Sequence, residues 1–470
     1  MKREDCFVDE SRHGQHTATC NHREAKLSIL MTPPIENGPK RSAESAGQSP
    51  SGRKNFLAML GPGLITGAAD DDSSGIATYS QAGAQFGYQT LWTMPVAYPL
   101  MTAVQLISAL IGRVTGHGIA GNMRQHFPRA FIYFCVGLMV IANTINIGAD
   151  IAAMGAASQL VFGGGKWLFV AVFTVGSLLL QIFLQYTKYV QILKWLTLVL
   201  FAYVGTVFVV RVPWQEVLRG AVIPSISLNG HFLMMLAAIF GTTISPYLFF
   251  WQASEEVEEV KCVKEEKPLT RAPEQAKEQM HRIGVDTYVG MAVSNLIAVF
   301  IIVTTAATLH ANGKTDIQSA AGAAEALRPI AGRFAFLLFS LGIVGTGLLS
   351  LPVLAGSAAY AVGEVFRWRT SLESKPHRAR KFYLSLAVIM LAGLSLNCIR
   401  IDPIKALVWS AVINAIAAPP IMVAMMLIST KAEIMKEFVL SRRLAVMGWI
   451  STAVMTIVAL GCIAGWVSGK

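Results

Sequence analysis

Eleven apolar runs follow one another along this chain, and each has room for the roughly 20 helical residues that cross a ~30 Å hydrocarbon core. Only 14% of the 470 residues are charged, against about 25% in soluble domains, and 53% are hydrophobic. The sequence therefore predicts an all-α polytopic membrane protein. The predicted spans, numbered 1 to 11, are residues 55–81, 88–113, 129–162, 166–184, 187–210, 229–254, 284–309, 332–365, 382–399, 403–428 and 443–467.

The net charge of +11 comes from Lys and Arg residues in the short connections between the spans. This placement is typical of topology determinants rather than of a nucleic-acid surface, so the expected partner is the lipid bilayer and not nucleic acid. The most basic connections, residues 112–129, 367–381 and 430–443, follow spans 2, 8 and 10. Because basic loops stay inside, we expect a cytoplasmic N-terminus and a C-terminus on the opposite side.

Two regions outside the spans have a plain interpretation. Residues 1–54 are polar and rich in Ser, Gly, Pro and charge, which predicts a flexible cytoplasmic tail. The four glutamates between residues 255 and 259 lie at the cytoplasmic end of span 6, where we expect a solvated helix face.

Two spans are interrupted in their middle. Span 1 contains DDDSSG (Asp70–Gly75) and span 6 contains GTTISP (Gly241–Pro246), and Gly, Ser and Pro weaken a helix. Non-helical backbone at membrane depth is tolerated only where it is buried in protein or lines a cavity. Two breaks five spans apart predict a 5+5 inverted-repeat transporter with its site at the midplane. The repeats would be residues 55–210 and 229–428, with residues 443–467 as an additional helix.

The residues at these breaks point to a cation site. Carboxylates near the bilayer centre are costly and mark ion or substrate pathways. The backbone carbonyl of Thr242 and the hydroxyl of Ser245 add oxygen ligands, and an all-oxygen set suits Mg²⁺, Mn²⁺ or Ca²⁺. Successive helical residues diverge by about 100°, so Asp70, Asp71 and Asp72 cannot all aim at one ion unless the chain unwinds. We expect one principal ligand, with the other two as supporting or pathway groups.

Polar residues on two other spans are further candidates. Asn414 on span 10 either faces the site or makes an interhelical hydrogen bond. Asp150 on span 3 either lines an ion or proton pathway or pairs with a basic residue such as Arg380.

The run GPGLITGAADDDSSGIATYSQAGAQFGY, residues 61–88, closely resembles the first span of the natural-resistance-associated macrophage protein (Nramp) family of divalent metal transporters. Residues 148–157 and 402–420 resemble the third and tenth spans of that family, so the likeness covers roughly residues 55–430. Aligned from either flank, the family motif Asp-Pro-Gly-Asn falls on Asp72-Ser73-Ser74-Gly75. The resemblance implies that Asp72 is the metal-binding aspartate and that Gly75 replaces an asparagine ligand.

The sixth span departs from the family pattern, because Met-Pro-His is replaced by Ser245-Pro246-Tyr247. The family methionine is a metal ligand, and losing its soft sulfur removes the preference for transition metals. Gly75 and Ser245 are also smaller than the residues they replace, which would enlarge the site for a partly hydrated Mg²⁺. The pattern looks like that of the Nramp-related magnesium transporters, a branch of the same family.

Two residues that the resemblance links to proton coupling in the family are replaced in this chain. Tyr247 stands where the family has a histidine, and it cannot titrate near neutrality. Ala153 stands in place of an acidic residue on span 3, although Asp150 is kept. We therefore predict a transporter of Mg²⁺ and/or Mn²⁺ that is weakly coupled or uncoupled to protons. The predicted metal-site residues are Asp72, Thr242, Ser245, Gly75, Asp71 and Asn414, and the predicted pathway residues are Asp70, Asp150 and Tyr247.

Three other functions are open to a chain with these features. A proton-coupled Mn²⁺/Fe²⁺ symporter of the family's usual type is the first, and an organic-cation or amino-acid carrier of the same architecture is the second. An intramembrane aspartyl protease would oppose Asp72 and Asp150, but it gives the span 6 break no purpose. We expect no enzyme and no resident cofactor, since the metal ion is the cargo, and we expect a multi-pass protein of the bacterial plasma membrane. Nothing in the sequence requires a second copy, so a monomer is the working expectation.

Overall fold

The computed structural model describes residues 61–467 except residues 185, 228, 264, 316, 318–319 and 398–402. Within these residues the regular structure is helical, and no strand is present. The predicted tail, residues 1–54, lies outside the described residues. The predicted division into repeats at residues 210 and 229 stays a prediction.

The helices are numbered along the chain. The first six are α1 (Pro62–Asp70), α2 (Ser73–Phe86), α3 (Thr93–Thr115), α4 (Ile119–His126), α5 (Arg129–Phe162) and α6 (Lys166–Phe183). The next six are α7 (Tyr186–Leu196), α8 (Phe201–Val209), α9 (Trp214–Val222), α10 (Gly230–Thr243), α11 (Pro246–Cys262) and α12 (Ala276–Thr308). The last five are α13 (Ala320–Val365), α14 (Arg380–Leu396), α15 (Pro403–Ser429), α16 (Ala432–Met435) and α17 (Arg442–Val467). Short 3₁₀ turns cover Gly87–Thr90, Thr197–Leu200, Pro273–Gln275, His310–Asn312 and Lys436–Phe438.

The predicted spans correspond to these helices. By length and composition, 8 helical stretches of the described chain can cross a membrane. They match spans 2, 3, 4, 6, 7, 8, 10 and 11. The remaining three predicted spans do not form a single helix of that length. Span 1 is divided between α1 and α2, span 5 is divided between α7 and α8, and span 9 is α14, which has 17 residues. The predicted all-α polytopic fold with broken helices 1 and 6 is confirmed.

The two broken spans form the centre of the molecule. In the apolar stretch of span 6, 83% of the residues are buried inside the protein, against 22% in span 4 and 33% in span 11. Nearly every residue of α1 and α2 is buried as well, and most of them are Gly, Ala, Ser or Thr. Small residues let membrane helices approach closely. The sites of the two breaks are therefore enclosed by protein rather than by lipid.

The start of α1 is held by a carboxylate from span 7. Asp286 on α12 accepts hydrogen bonds from the backbone N–H groups of Gly61 and Gly63, both at 2.7 Å, and of Leu64 at 3.0 Å. These N–H groups have no partner within their own helix, and the negative charge suits the positive end of the helix dipole. The Gly-Pro-Gly start of α1 is thus explained, because a Cβ on Gly63 would lie 2.8 Å from the backbone of Asp286.

The rest of α1 packs along the same face of α12. Four residues beyond Asp286, Gly290 lies directly against Gly67, and a Cβ on Gly67 would overlap the Gly290 carbonyl. After another four residues, Ser294 donates a hydrogen bond of 2.6 Å to the Asp70 carboxylate. Residues spaced by four share one face of a helix. α1 therefore lies along α12 from its first residue to its last.

The glutamates at the end of α11 do not form the solvated face that the sequence suggested. Three of the four are fully buried. Arg282, one turn before Asp286 on α12, lies 2.5 Å from Glu256 and 3.0 Å from Glu259, and Ser371 donates a 2.9 Å bond to Glu258. Buried charges need such partners because desolvation is costly. We call Glu256, Glu259, Arg282 and Asp286 the charged cluster.

Replacement of Asp286 by asparagine tests the hold on α1. The amide keeps the shape but places N–H donors against the backbone donors of Gly61 and Gly63, so we expect a loss of about 2 kcal/mol of stability. Thermal unfolding of the purified protein measures it. Glu274→Gln, at an exposed position before α12, removes the same charge and should have little effect. Equal melting temperatures for the two variants would contradict this role of Asp286.

A methyl group on Gly67 tests the contact between α1 and α12. Gly67→Ala places its Cβ into the carbonyl of Gly290, and overpacking of this kind costs about 1–3 kcal/mol. Gly137→Ala on α5 is the matched control, since nothing lies within 4 Å of its added Cβ. We expect a lower melting temperature for the first variant only. A Gly67→Ala protein as stable as the control would show that the two helices are free to separate.

Candidate metal site

The break in span 1 falls at Asp71 and Asp72. Asp71 leaves the helical region with φ −85° and ψ 44°, and Asp72 is extended, with φ −65° and ψ 177°. Oδ1 of Asp72 accepts a 2.7 Å hydrogen bond from the N–H of Gly75, so Asp72 is the N-cap of α2. Asp and Ser favour caps over helix interiors because their short side chains bind nearby backbone groups. The sequence DDDSSG therefore ends one helix and starts the next.

The break in span 6 falls at Ile244 and Ser245. Both residues leave the helical region, and Pro246 then occupies the first turn of α11, where its missing N–H costs nothing. The hydroxyl of Ser245 donates its hydrogen toward two carbonyl oxygens freed by the break, that of Gly241 at 2.6 Å and that of Thr242 at 2.8 Å. The oxygen lone pairs of Ser245 and one lone pair of each carbonyl remain able to bind a cation.

The two breaks meet each other. The hydroxyl of Tyr247 lies 2.9 Å from the carbonyl oxygen of Ala69 and 3.3 Å from Oδ2 of Asp72, and donates its hydrogen to this pair. On the other side, the hydroxyl of Tyr79 lies 3.1 Å from that of Thr243. These contacts join the break of span 1, with Asp72, to the break of span 6, with Thr242, Ser245 and Tyr247, in one buried region. That these residues form a metal site stays a prediction.

Gly75 lies at the same junction but leaves no open space. A Cβ built on it would lie 3.0 Å from the Asp70 carbonyl, 3.3 Å from the Tyr79 ring and 3.5 Å from the Thr242 hydroxyl. The room freed by the missing side chain is therefore filled by these neighbours in this packing. Gly75 contributes a close approach of span 1 to span 6, and its own contribution to a metal site is limited to backbone groups.

The three aspartates point to different neighbours. Asp70 faces α12 through Ser294, whereas Asp72 faces span 6. Asp71 is also fully buried, and neither of its carboxylate oxygens accepts a hydrogen bond within the described part of the chain. Only Asp72 is placed to act with the span 6 carbonyls, and Asp71 is the carboxylate with most capacity left to attract a cation.

Asp150 is buried on α5 and accepts a 2.6 Å hydrogen bond from Ser350 on α13. Its helix also packs against α2, whose N-cap is Asp72. The predicted alternative partner, Arg380, forms no ion pair with it in the described structure. Asp150 therefore adjoins the site and links spans 3 and 8.

Asn414 is buried on α15, and its Oδ1 accepts no hydrogen bond among the described residues. The next residue, Ala415, packs against Gly241 at the break of span 6, where a Cβ on Gly241 would lie 2.8 Å from the Ala415 Cβ. The amide is therefore on the helix that flanks the break, whereas the hydrogen bonds described for Asp72 come from Gly75 and Tyr247.

The donor set decides which ions the site suits. No three His, Cys, Asp or Glu side chains of the described chain converge as a metal-binding group. What the breaks offer is one carboxylate with carbonyl and hydroxyl oxygens, and these bind hard cations such as Mg²⁺, Mn²⁺ and Ca²⁺. A set with few protein ligands leaves coordination positions for water.

The role of Asp286 was not predicted from the sequence, and the solvated face predicted for the four glutamates between residues 255 and 259 was wrong. These residues fasten the broken spans from outside the site. The sequence contains little that would have indicated these contacts. Asp286 is an acidic residue near the start of an apolar run, and Arg282 precedes it by one helical turn. Their partners lie 225 and 26 residues away in the chain, at Gly61 and Glu256. Only the fold brings them together.

Comparisons with known proteins identify relatives of this chain and of its fold. The divalent metal cation transporter MntH of Klebsiella pneumoniae is 28% identical over 429 residues, which cover 90% of this chain and 95% of the relative. A solved structure of a variant of the Eremococcus coleocola manganese transporter superposes with a TM-score of 0.72 at 19% identity, covering 90% of this chain and 89% of the other.

A more distant likeness extends to the nucleobase-cation-symport-1 family transporter Mhp1, with a TM-score of 0.55 and 14% identity over 87% of this chain and 93% of the other. These structural likenesses show the fold alone. The family model "Natural resistance-associated macrophage protein-like" matches residues 63–465, which is most of the chain. The chain therefore belongs to the Nramp family.

Proposed function

We propose that the protein transports divalent cations, Mg²⁺ and/or Mn²⁺, across the bacterial plasma membrane, with Asp72 as the principal ligand. The observation that supports it most is the buried Asp72 carboxylate, which Tyr247 joins to span 6 just after the freed carbonyls of Gly241 and Thr242. The family and the names of the relatives, a divalent metal cation transporter and a manganese transporter, support the same class. The protein acts as a transporter and not as an enzyme, and the metal is its cargo rather than a resident cofactor.

In this proposal the ligands come from both breaks. Asp72 supplies Oδ2, which is not used by the cap, and Thr242 supplies its carbonyl oxygen. Ser245 orients that carbonyl and adds its own lone pairs. Asp71 and Asn414 supply further oxygens, and Asp70, Asp150 and Tyr247 line the path to and from the site.

The ion preference follows from the ligand types. No thioether or imidazole stands at the break, because Ser245 and Tyr247 occupy the positions of the family's Met and His. A site of oxygens alone does not discriminate against hard ions. Mg²⁺ is therefore admitted together with Mn²⁺, and water completes its coordination.

Weak or absent proton coupling is part of the same proposal. Tyr247 uses its hydroxyl to bind the Ala69 carbonyl and Asp72, and it offers no group that titrates near neutrality. An inside-negative potential contributes about 2.3 kcal/mol per charge for each ~100 mV, hence about 4.6 kcal/mol for a divalent ion. This is sufficient to drive uptake without protons.

A proton-coupled Mn²⁺/Fe²⁺ symporter is the second candidate, and Asp150 is the observation that favours it. This buried carboxylate lies next to the metal site and is bonded on one oxygen only. A proton path along spans 3 and 8 would begin there. Recording the internal pH during metal uptake separates the two mechanisms, since a symporter acidifies the vesicle lumen in proportion to the metal taken up.

The proposed orientation places the N-terminus in the cytoplasm. The connections after spans 2, 6 and 8 meet at the end of the molecule where α1 begins. There the N–H of Leu269 binds the Arg113 carbonyl, and Lys261 binds the Thr370 carbonyl at 3.0 Å. Basic residues concentrate at this end, which the positive-inside rule assigns to the cytoplasm.

Asp72→Asn is the sharpest test of the site. Asparagine caps a helix as well as aspartate does, so the bond from Gly75 and the fold should be kept while the charge is lost. We expect binding and uptake of Mg²⁺ and Mn²⁺ to fall at least about 30-fold, because removing a charged ligand from a buried site costs more than ~2 kcal/mol. Titration calorimetry and flux into proteoliposomes measure the two quantities.

The control for this experiment is Glu216→Gln. It removes a carboxylate from α9, in the connection after span 5, and should leave binding and flux unchanged. Unaltered metal binding by Asp72→Asn protein of wild-type stability would defeat the assignment of the site.

Ser245→Met tests the origin of the ion preference. The thioether adds a soft ligand beside Thr242, so we expect Mn²⁺ to gain roughly tenfold over Mg²⁺ in competition for uptake. Ser245→Leu has a similar volume without sulfur and should show no such gain. Equal behaviour of the two variants would mean that the residue at this position does not contact the ion.

A further inference from the structure

A basic cavity lies away from the metal site, at the proposed cytoplasmic end. Its volume is about 340 Å³, and it opens between α4, the start of α5 and the end of α13. Three arginines line it, Arg124, Arg129 and Arg367, together with Ile132 and Phe366. No carboxylate side chain is among its lining residues. The cavity is therefore a concentration of positive charge with an apolar wall.

The charge of the three arginines is only partly compensated. Arg124 donates to the backbone carbonyl of Glu364, and its Nε is buried without a hydrogen bond. The Glu364 carboxylate faces Arg124 but is occupied as the cap of α4, where it accepts from the N–H of Gly118 at 2.8 Å and of Gly121 at 2.9 Å. Arg129 and Arg367 form no ion pair within the described part of the chain. At least two guanidinium groups are free to bind an anion.

The backbone of Arg367 is unusual for its residue type. Its φ is +58°, in the left-handed region, and it directly follows the last turn of α13, where the N–H of Trp368 returns to the Gly363 carbonyl at 2.8 Å. This position after a helix is normally held by glycine, because other residues are strained there. An arginine at this point is disfavoured by the backbone, which indicates that its side chain is needed.

Aromatic residues place the cavity at the membrane boundary. Tyr133 and Phe366 are 51% and 53% exposed and stack at 6.2 Å between ring centroids. Phe366 also stacks on Trp368 at 5.3 Å. Aromatic side chains gather at the level of the lipid headgroups, and the exposed face of α5 continues from there along the apolar span. The cavity thus opens toward headgroups on one side and acyl chains on the other.

We propose that this cavity binds the headgroup of an anionic phospholipid. The phosphate would lie among the guanidinium groups of Arg124, Arg129 and Arg367, since planar guanidinium groups bind phosphate oxygens in pairs of parallel hydrogen bonds. The acyl chains would pass over Tyr133 and Phe366. Basic pockets between membrane helices on the cytoplasmic side suit this class of ligand.

The bound lipid would join the two helices that hold Asp150 and Ser350. Arg129 starts α5, which includes Asp150, and Arg367 follows α13, which includes Ser350. A phosphate held by both arginines closes the gap between these helices at the cytoplasmic end. The lipid is therefore expected to stabilise the protein without contact with the metal.

The test uses the full chain in nanodiscs of phosphatidylcholine, with or without phosphatidylglycerol. The test variant combines Arg129→Gln with Arg367→Gly, and the glycine relieves the strained backbone, so a loss of folding is not expected. Arg378→Gln, on an exposed residue of the same end, is the matched control. Melting temperature and lipid retention in native mass spectrometry are the readouts.

We expect phosphatidylglycerol to raise the melting temperature of the wild type and of the control variant. In the double variant this rise is lost and lipid retention falls about 25-fold, since each arginine near an anionic lipid contributes a factor of about five. Retention equal to the control, or no stabilisation of the wild type, would overturn the proposal. Equal stabilisation by inorganic phosphate in plain phosphatidylcholine would overturn it as well, because the site would then bind a free anion.

Discussion

A backbone group that is freed inside a membrane helix must find its partner within the protein, because hydrocarbon offers none. Both broken spans meet this constraint with side chains placed at the breaks. Asp72 caps the N-terminus of α2, Ser245 binds the carbonyls at the end of α10, and Tyr247 binds the last turn of α1. Asp286 does the same for the start of α1 from a neighbouring helix. Asp72, Ser245, Tyr247 and Asp286 thus satisfy the backbone groups at the ends of the broken helices.

The same groups are those that we propose as metal ligands. A cap uses one lone pair of a carboxylate or carbonyl oxygen and leaves others available. Oxygens that are already held in place by hydrogen bonds need not be ordered again when an ion arrives, which lowers the entropic cost of binding. The groups that end and start the broken helices are thus also those that we propose as ligands, and Ser245 belongs to both sets.

The spans and their two interruptions could be predicted from the sequence because both depend on local composition. Apolar length defines a span, and runs such as DDDSSG or TTISP end a helix wherever they occur. The partners of these segments could not be predicted. Burial of the glutamates before Cys262 depends on Arg282 and Ser371, which are distant in sequence, and charge alone suggested a solvated face. The tight packing at Gly75 likewise depends on Tyr79 and Thr242, whereas residue size alone suggested open space.

The face of α12 that packs along α1 constrains how the two helices can move. Asp286, Gly290 and Ser294 bind the beginning, the middle and the end of α1, with glycine against glycine at the centre. Because backbone meets backbone at Gly67 and Gly290, and side chains of α12 bind both ends of α1, we expect the two helices to move together. Any rearrangement that uncovers Asp72 by displacing α1 must take α12 along, or else break a carboxylate cap and a buried serine bond together. The natural moving unit on this side of the protein is therefore a helix pair, and its stiffness sets how far the centre can open.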